Sequence, residues 1–543
     1  MNPFTMRLAS LAVTAALLSG CAAQQETAGQ RSANQQLVVG FGYEPVNLDP
    51  ALFPTAEEAT LGITFFEGLL RVGKDGKPEA GAADRWEIST DGTVYTFHMR
   101  ENAKWSDGKP VTAKDFEYAW MRVLDPAVES PSASMLGPIK NALAYHEGKA
   151  DKASVGIKAL SDSELQVTLE KPTSYFLGLL ATFTFAPVRS DIVEKVPSTW
   201  STKSQLLISN GAFHVKQWQH KFEIVAEPNA YYWDRQEVKL SRLTFKLDGT
   251  STGQWADFGD GAIDLGSALP KDLNVKEEVQ KGTITSSPYL GSGFMMFNTT
   301  HKPFDDPRVR KALGLVIDKQ ALAALDQSGQ TPAGGFVPPG MPDAADQGDF
   351  RAIGGDLQPV QRQEQHIAEA KKLLAEAGYP GGQGLPEVSY LGAREFAAEV
   401  AKDFSLLGVQ LKYTDDTSAI FWNRVDQGDY DLLEYAWIAD YSDPINFLEV
   451  PANSPFFNIG PAYTQKLQES ATILDPAKRF QTLHDAEKLL LDSYGIIATL
   501  NSKDNYYRQP YVKDYIRTVR SEPIYRYVSI DEAQKQQLQA KQK

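Results

Sequence analysis

The stretch from Val388 to Tyr413, VSYLGAREFAAEVAKDFSLLGVQLKY, decides the fold class of this chain. It opens and closes with short apolar runs typical of buried strands, and apolar residues at helical spacing lie between them. A further helix and a further strand follow over residues 417–426 and 432–437. Strands that alternate with helices imply right-handed crossovers and parallel pairing. The sequence therefore predicts an α/β fold with a mostly parallel sheet in this region.

The first half of the chain has a different pattern. Residues 84–190 favour antiparallel strands with helical inserts, because the strand-forming run 94–99 lies between the turn dipeptides Asp91-Gly92 and Asp107-Gly108. Thr112 to Asp115 resembles a capping box that opens a helix. Two regions of differing architecture predict lobes around a cleft, and ligand sites favour such clefts.

Three further segments carry local predictions. Residues 37–41, LVVGF, form an apolar run typical of the first buried strand. Asp305-Asp306-Pro307 is a helix start, since carboxylates favour the positive end of a helix and Pro is favoured at its first position. Residues 329–360 are rich in Gly, Pro and Asp, and we expect a long surface loop there.

The composition bounds the classes of protein to which the chain can belong. Its 543 residues exceed the roughly 250–300 that one core usually supports, so two or three lobes are expected. A single cysteine excludes an intramolecular disulfide, and stability must come from burial. The net charge of −15 argues against nucleic acid or an anionic membrane surface as the main partner.

The single cysteine, Cys21, closes the string LLSGC after an apolar run from Leu8 to Leu18. That run has the length of a secretory signal and is too short to span a bilayer. The string resembles a bacterial lipobox, which predicts a signal peptide over residues 1–20, lipidation of Cys21 and a flexible tether over residues 21–36. The alternative is a chance cysteine behind an ordinary signal peptide. Under the lipobox reading the protein is lipid-anchored outside the cytoplasm, and both the outer face of a single membrane and a double-membrane envelope stay open.

Six strings in order along the chain carry a family resemblance. They are EGL (67–69), YTFHMRENAKWSDG (95–108), NGAF (210–213), NAYYWD (229–234), FDDPRVRKA (304–312) and WIADYSDP (437–444). Together they resemble the oligopeptide-binding proteins of bacterial ABC importers, within the family 5 extracellular solute-binding proteins. The resemblance extends from about residue 37 to residue 515.

The resemblance implies a three-domain Venus-flytrap form of the periplasmic-binding-protein fold, α/β in class, with two lobes around a ligand cleft. Lobe I would comprise residues 37–56, 186–290 and 503–543. Residues 57–185 would form the extra domain, and residues 291–502 would form lobe II, hinged through two crossing strands. Closure of the lobes around a ligand would be a population shift between open and closed states.

The resemblance also implies a site. In this family an extended peptide adds as a strand between the lobes, so main-chain hydrogen bonds supply affinity that is independent of peptide sequence. Asp440 matches the aspartate that receives the α-ammonium of the peptide; the alternative is that it caps the turn before Pro444. The other matched positions are the strand segments with Gly291 and Gly293 and with Ala436, the cleft wall Trp437, the cleft-edge Glu44 and the pocket-lining Tyr118. Glu44 could equally be a solvated loop charge, and Tyr118 a half-buried helix aromatic.

Two positions depart from the family. Relatives carry an Arg six residues before the key aspartate and a His further upstream, where this chain has Glu434 and Asp426. A carboxylate cannot receive the carboxylate of a peptide without a proton or a bridging cation. Either Lys503, Arg424, Arg394 or water meets that end of the ligand, or the ligand is not a simple free-acid peptide and is amidated, cationic or muropeptide-like.

An enzyme of the envelope is the alternative from another class. GTSTG (249–253) fits the nucleophile-elbow pattern G-x-S-x-G, with Ser251 as the nucleophile. The seven histidines include no H-E-x-x-H, which leaves a metal site unsupported, and no Gly-rich loop precedes Lys-Ser or Lys-Thr. We therefore expect a monomeric, lipid-anchored receptor without a cofactor. It would perform no chemistry, bind no nucleic acid and pass peptides to an ABC permease driven by partner ATPase subunits. The alternative within the fold is a receptor for a modified or non-peptide solute, such as a metal chelate.

Overall fold

The computed structural model describes residues 34–53, 56–344 and 348–542. The predicted signal peptide, the lipidation site Cys21 and most of the predicted tether lie outside these residues. None of the helices in these three ranges combines the length and the apolar character needed to cross a bilayer.

The strands are short in the first 280 residues, and two long ones follow. In chain order the strands are β1 (Gln36–Gly40), β2 (Leu70–Val72), β3 (Pro78–Ala80), β4 (Ala83–Ile88), β5 (Val94–Met99), β6 (Ile157–Ala159), β7 (Glu164–Thr168), β8 (Phe213–Gln219), β9 (Glu223–Pro228), β10 (Arg242–Lys246), β11 (Leu265–Gly266), β12 (Ile284–Phe297), β13 (Thr331–Pro332), β14 (Val388–Leu391), β15 (Leu411–Tyr413), β16 (Leu432–Ile438), β17 (Ile496–Arg508), β18 (Val512–Lys513), β19 (Ile516–Arg517), β20 (Pro523–Ile524) and β21 (Ser529–Ile530).

The α-helices are longest in the second half of the chain. They are α1 (Ala56–Phe65), α2 (Ala113–Val123), α3 (Ala142–His146), α4 (Phe176–Leu179), α5 (Ser190–Val193), α6 (Ser251–Gly259), α7 (Val275–Lys281), α8 (Pro307–Leu315), α9 (Lys319–Leu325), α10 (Phe350–Gly354), α11 (Glu364–Glu376), α12 (Arg394–Ser405), α13 (Ser418–Gln427), α14 (Ile445–Ala452), α15 (Pro461–Thr472), α16 (Pro476–Asp492) and α17 (Glu532–Gln542).

One sheet runs through most of the molecule, in the order β15-β14-β16-β12-β17-β11-β1-β10-β9-β8 with β13 on β17. Its long central strands β12 and β17 pair with each other in two parts. Ile284–Pro288 pairs with Lys503–Tyr507, the register shifts, and Ser292–Met296 then pairs with Ile496–Asn501. Because both strands continue through this irregularity, they join two halves of the sheet in the manner of a hinge.

The buried side chains form separate cores on the two sides of this crossing. One large cluster draws on residues 37–265 and 511–530, and we call the part that it holds together the first lobe. A four-stranded antiparallel sheet, β4-β5-β7-β6, belongs to it. Two adjoining clusters draw on residues 290–500, and we call that part the second lobe. The molecule therefore has the two-lobe α/β architecture of a periplasmic-binding-protein fold. The finer division of the first lobe, with an extra domain over residues 57–185, stays a prediction.

Local sequence signals match the structure closely. The prediction of strand, helix and strand over 388–413 is confirmed by β14, α12 and β15. The helix start at Thr112 is confirmed, since Asp115 accepts hydrogen bonds from both the backbone N–H (2.8 Å) and the hydroxyl (3.0 Å) of Thr112. Asp306 likewise accepts from the N–H of Arg308 at 2.8 Å at the start of α8.

The parallel pairing predicted for residues 388–437 is confirmed, since β14 pairs in parallel with β15 and β16. The larger sheet is mixed, because β12 pairs antiparallel with both β16 and β17. The expectation of a surface loop over 329–360 was wrong in part, because residues 333–338 of this segment are buried. Its Phe336 and Val337 have no exposed area, and their N–H groups both donate to Oε1 of the buried Glu487 at 2.9 Å. A loop can lie inside a protein when its backbone polar groups find such acceptors.

Candidate functional site

The end of β16 presents an unpaired edge. The whole strand pairs with β12 on one side, but only Leu432 and Leu433 pair with β14 on the other. From residue 434 to 438, no strand in the described ranges occupies this second edge. The N–H of Ala439 donates to Leu290 of β12, and peptide groups alternate along a strand, so those of Ala436 and Ile438 face the free edge. An extended chain could add there as a further strand.

Gly291 and Gly293 lie opposite this edge segment on β12. Gly291 pairs with Ile438 and Gly293 with Ala436, while β17 covers the other side of β12. A Cβ atom on Gly291 would lie 2.7 Å from Oγ of Ser502, and one on Gly293 would lie 3.0 Å from a hydroxyl of β17. Both glycines are buried, so they allow close approach of the crossing strands and do not themselves form the free edge.

Asp440 follows the free edge by two residues and is exposed. Asn446, in the first turn of α14, holds it in place. Oδ1 of Asn446 accepts from Nε1 of Trp437 (2.9 Å) and from the N–H of Asp440 (3.1 Å), and its Nδ2 donates to Oδ2 of Asp440 (3.3 Å). No cationic nitrogen of the described ranges lies within 4.0 Å of the Asp440 carboxylate, so an ammonium could pair with it. Sequence reasoning missed Asn446, which lies two residues beyond the matched string.

Trp437 and Asp440 line a cavity of about 700 Å³ between the lobes, which we call the Asp440 cavity. Because successive side chains of a strand point to opposite faces, Leu433, Tyr435 and Trp437 share the face that borders it. Asp426 of α13 also lines it. The remaining lining residues are Ser134, Met135, Leu143, Phe294, Met296, Trp422, Val425, Tyr430, Tyr441, Asn446, Glu449, Val450, Asn453, Ser454, Pro455 and Phe456.

Glu434 points away from this cavity, to the opposite face of β16. Its Oε2 accepts a hydrogen bond from the N–H of Ala393 at 2.9 Å, at the start of α12. Burial raises the pKa of Glu434. A carboxylate at this position stabilises the helix start, because the amino end of a helix carries partial positive charge.

Three basic residues were predicted as possible partners of a ligand carboxylate, and all three lie outside the Asp440 cavity. Arg424 is bound to Asp416 (2.6 Å) and to Asp429 (3.0 Å). Arg394 is largely exposed and lies 3.2 Å from Asp415. Lys503 belongs to the crossing strand β17, opposite Pro288. None of the three lines the Asp440 cavity.

Glu44 and Tyr118 also lie away from this cavity. Oε1 of Glu44 is 2.6 Å from Nδ1 of His220, and Oε2 accepts from the N–H of Lys221 at 2.9 Å. Tyr118 packs against the core of the first lobe, and burial raises its pKa. The structure thus brings Trp437, Asp440 and Asp426 together, whereas Glu44 and Tyr118 do not line the cavity that these three residues share.

A second cavity, of about 820 Å³, lies on the other side of Tyr441. Segments of both lobes line it, among them the stretch around Tyr175 and the stretch 516–520. Arg479 borders it and is held by Asp443, with both contacts at 2.8 Å. Tyr441 therefore lies at the junction of two spaces between the lobes.

Ser251 and the candidate metal ligands can be located within the described residues. Ser251 is the first residue of α6, whose cap is the hydroxyl of Thr250. Among the hydrogen bonds of the described ranges, none joins Ser251 to a histidine. The same ranges contain no group of three or more His, Cys, Asp or Glu side chains placed to hold a metal ion.

Comparisons with known proteins agree on one family. Residues 77–457 match the model of the bacterial extracellular solute-binding proteins, family 5 Middle. The chain is 30% identical to the oligopeptide-binding protein OppA of Bacillus subtilis over 96% of this chain and 97% of that protein. It is 32% identical to the periplasmic oligopeptide-binding protein OppA of Escherichia coli, covering 95% and 96%. A solved structure of the murein tripeptide-binding protein MppA in an unliganded open form matches with a TM-score of 0.78 at 30% identity, covering 92% of this chain and 98% of that one.

Proposed function

Since this chain belongs to the family 5 bacterial extracellular solute-binding proteins, we propose that it is the peptide receptor of an ABC importer. It captures oligopeptides between its lobes and passes them to a membrane permease. The observation that carries the proposal is the free edge at Ala436–Ile438, which ends beside the carboxylate of Asp440. The edge supplies backbone hydrogen bonds to any peptide, and Asp440 fixes its amino end.

Charge supports the role of Asp440. A peptide α-ammonium that enters a closed cleft loses its water and needs a carboxylate partner. Asn446 already holds Asp440 through one hydrogen bond from its backbone N–H and one to its carboxylate, so the carboxylate is positioned before the ligand arrives. Preorganisation of this kind lowers the entropic cost of binding.

The experiment is calorimetric titration of the purified protein with trialanine and with N-acetyl-trialanine. We expect trialanine to bind and acetylation to weaken binding about 30-fold or more, since it removes the charge that Asp440 receives. Asp440→Asn should weaken trialanine binding by a similar factor and erase the difference between the two peptides. Asp260→Asn, which removes an exposed carboxylate at the end of α6, is the matched control. Equal binding of both peptides to the unaltered protein would exclude the ammonium role.

We further propose that Cys21 carries the lipid anchor and that the receptor works on the extracytoplasmic side of the membrane. Acyl chains bind membranes in proportion to their buried methylene groups, and two chains hold a protein stably. Cys21→Ser should move the protein from the detergent phase to the aqueous phase in detergent partitioning. Retention of Cys21→Ser in the detergent phase would contradict this assignment.

A modified peptide is the second candidate ligand. The observation that favours it is the absence of any Lys, Arg or His from the described lining of the Asp440 cavity, which leaves a ligand carboxylate without a partner there. One similar structure is that of a murein tripeptide-binding protein. Competition between trialanine, its C-terminal amide and a murein tripeptide would rank these ligands. Tighter binding of trialanine than of its C-terminal amide would exclude ligands whose carboxyl end is blocked.

A further inference from the structure

The charged side chains that line the Asp440 cavity are all acidic. Three carboxylates border it, those of Asp426, Asp440 and Glu449, and none of its described lining residues is basic. No cationic nitrogen of the described chain lies within 4.0 Å of any of these three groups. Asp440 would receive the α-ammonium of a peptide, which leaves Asp426 and Glu449 without an ion pair in the same space. Lys171 and Arg479 act on Glu449 only from beyond 4.0 Å.

Glu449 is the more enclosed of these two. It lies on α14 one turn beyond Asn446, and so about 5 Å further along the helix axis. Burial raises the pKa of Glu449. Burial of this carboxylate outweighs its attraction to the more distant Lys171 and Arg479, so a cation that entered the cavity would offset part of the remaining cost.

The walls of the cavity suit a cation with an apolar stem. Trp422 packs edge-to-face on Tyr435, with ring centroids 5.4 Å apart and an interplanar angle of 79°. Phe294 packs on the same tyrosine at 6.1 Å and 89°. Such rings bury the methylene groups of Lys or Arg, and their faces attract the cationic head.

The pairing of an added peptide strand with β16 limits which peptide side chain can enter the Asp440 cavity. Alternate side chains of a strand point to opposite faces of the sheet, and the cavity borders only the face that carries Tyr435 and Trp437. With its amino end at Asp440, a peptide can therefore direct one of its first two side chains into the cavity.

We propose that this receptor selects peptides with a basic side chain, Lys or Arg, at one of the first two positions, and that this side chain pairs with Glu449 and Asp426 in the Asp440 cavity. The inference rests on the proposed function, because it uses the peptide orientation set by Asp440. It names a substrate class within that function: peptides with a second positive charge near the amino end.

The test compares lysine with norleucine, which keeps the apolar stem and lacks the ammonium. Trialanine, the three tripeptides with one lysine and the three with one norleucine are titrated against the protein. At one of the first two positions we expect lysine to bind about tenfold tighter than norleucine, with no such preference at the third. Glutamate at the preferred position should bind more weakly than alanine.

Variants then assign the preference to the cavity. Glu449→Gln and Asp426→Asn should each reduce the ratio of the affinity for the lysine peptide to that for the norleucine peptide. Asp260→Asn should change neither that ratio nor the affinity for trialanine. Because Asp426 is exposed on α13, Asp426→Asn keeps the test valid if Glu449→Gln fails to fold.

The possible failures are distinguishable. If trialanine does not bind, the proposed function as a peptide receptor is excluded. The inference is then excluded as well, because it depends on that function. If trialanine binds but lysine and norleucine bind equally at both positions, the inference alone is overturned. A lysine preference that survives both variants would also overturn it, since the net charge of the chain would then be its source.

Discussion

The ring of Tyr175 lies parallel to the ring of Tyr441, with centroids 4.7 Å apart and an interplanar angle of 10°. Tyr175 precedes α4 in the first lobe, and Tyr441 follows Asp440 in the second. The stack therefore joins the two lobes directly beside the proposed ammonium site. Any change in the angle between the lobes acts on this pair, which couples the position of Asp440 to the arrangement of the lobes.

Loss of this stack should weaken ligand binding. A stacked aromatic pair contributes about 0.5–1.5 kcal/mol beyond burial, so Tyr175→Ala should reduce peptide affinity roughly two- to tenfold, because Tyr441 and the neighbouring Asp440 are then held less firmly. Tyr175→Phe keeps the ring and should bind like the unaltered protein. Calorimetry measures both. Unchanged affinity of Tyr175→Ala would show that the stack does not contribute to the bound state.

The ion pair between Asp443 and Arg479 should matter for stability. Both side chains are buried, with 4% and 2% of their area exposed, and Asp443 also accepts from the N–H of Ile445. Removing one partner of a buried pair costs about 3–5 kcal/mol, because the other charge stays buried alone. We expect Asp443→Asn to lower the free energy of unfolding by that order, as measured by urea denaturation.

A double variant checks the origin of that cost. Asp443→Asn combined with Arg479→Met removes both charges, so its destabilisation should be smaller than the sum of the two single effects. Additive effects would mean that the two side chains act independently of each other.

Glu434→Arg should destabilise the second lobe without creating a carboxylate site. The Glu434 side chain faces the start of α12 and accepts from Ala393, so an Arg there meets the positive end of the helix and cannot accept that N–H. The expected cost is about 1–2 kcal/mol of unfolding free energy. The ratio of affinities for trialanine and its C-terminal amide should not change. A rise in that ratio would show that residue 434 reaches the ligand.

Lys319 should make stability depend on pH. Its side chain is 2% exposed and donates to the carbonyl of Ala333 at 2.8 Å, and burial lowers its pKa to about 7. Below pH 7 the folded chain bears the full cost of the buried charge. Between pH 7 and 10 the unfolded chain keeps the proton that the folded chain has lost, so stability rises with pH.

Lys319→Met removes this dependence. The unaltered protein should gain stability relative to the variant by up to about 1.4 kcal/mol per pH unit between pH 7 and 9. Lys271→Met, at an exposed position, is the control and should give a curve parallel to that of the unaltered protein. Urea denaturation at several pH values measures the three curves. Parallel curves for Lys319→Met and the unaltered protein would contradict the assignment.

Local features of this chain were predictable from the sequence because short-range physics produces them. The spacing of apolar residues over 388–413 and the carboxylate of Asp115 near Thr112 act within a few residues, and the structure has the expected elements there. The burial within segment 329–360 was not predicted, because it depends on a contact that is distant in sequence. Its composition is that of a loop, but its burial depends on Glu487, which lies about 150 residues further along the chain.

The sequence alone determined the family, the α/β class with two lobes, and the position of Asp440 shortly after a strand. Each of these follows from patterns that are local or ordered along the chain. Only the tertiary structure decided which side chains share a space. Glu434 and Trp437 are three residues apart, yet one faces α12 and the other the Asp440 cavity. The physical reason is that β16 acquires its faces, its free edge and its neighbours from pairing with β12, and that register joins residues more than 130 positions apart.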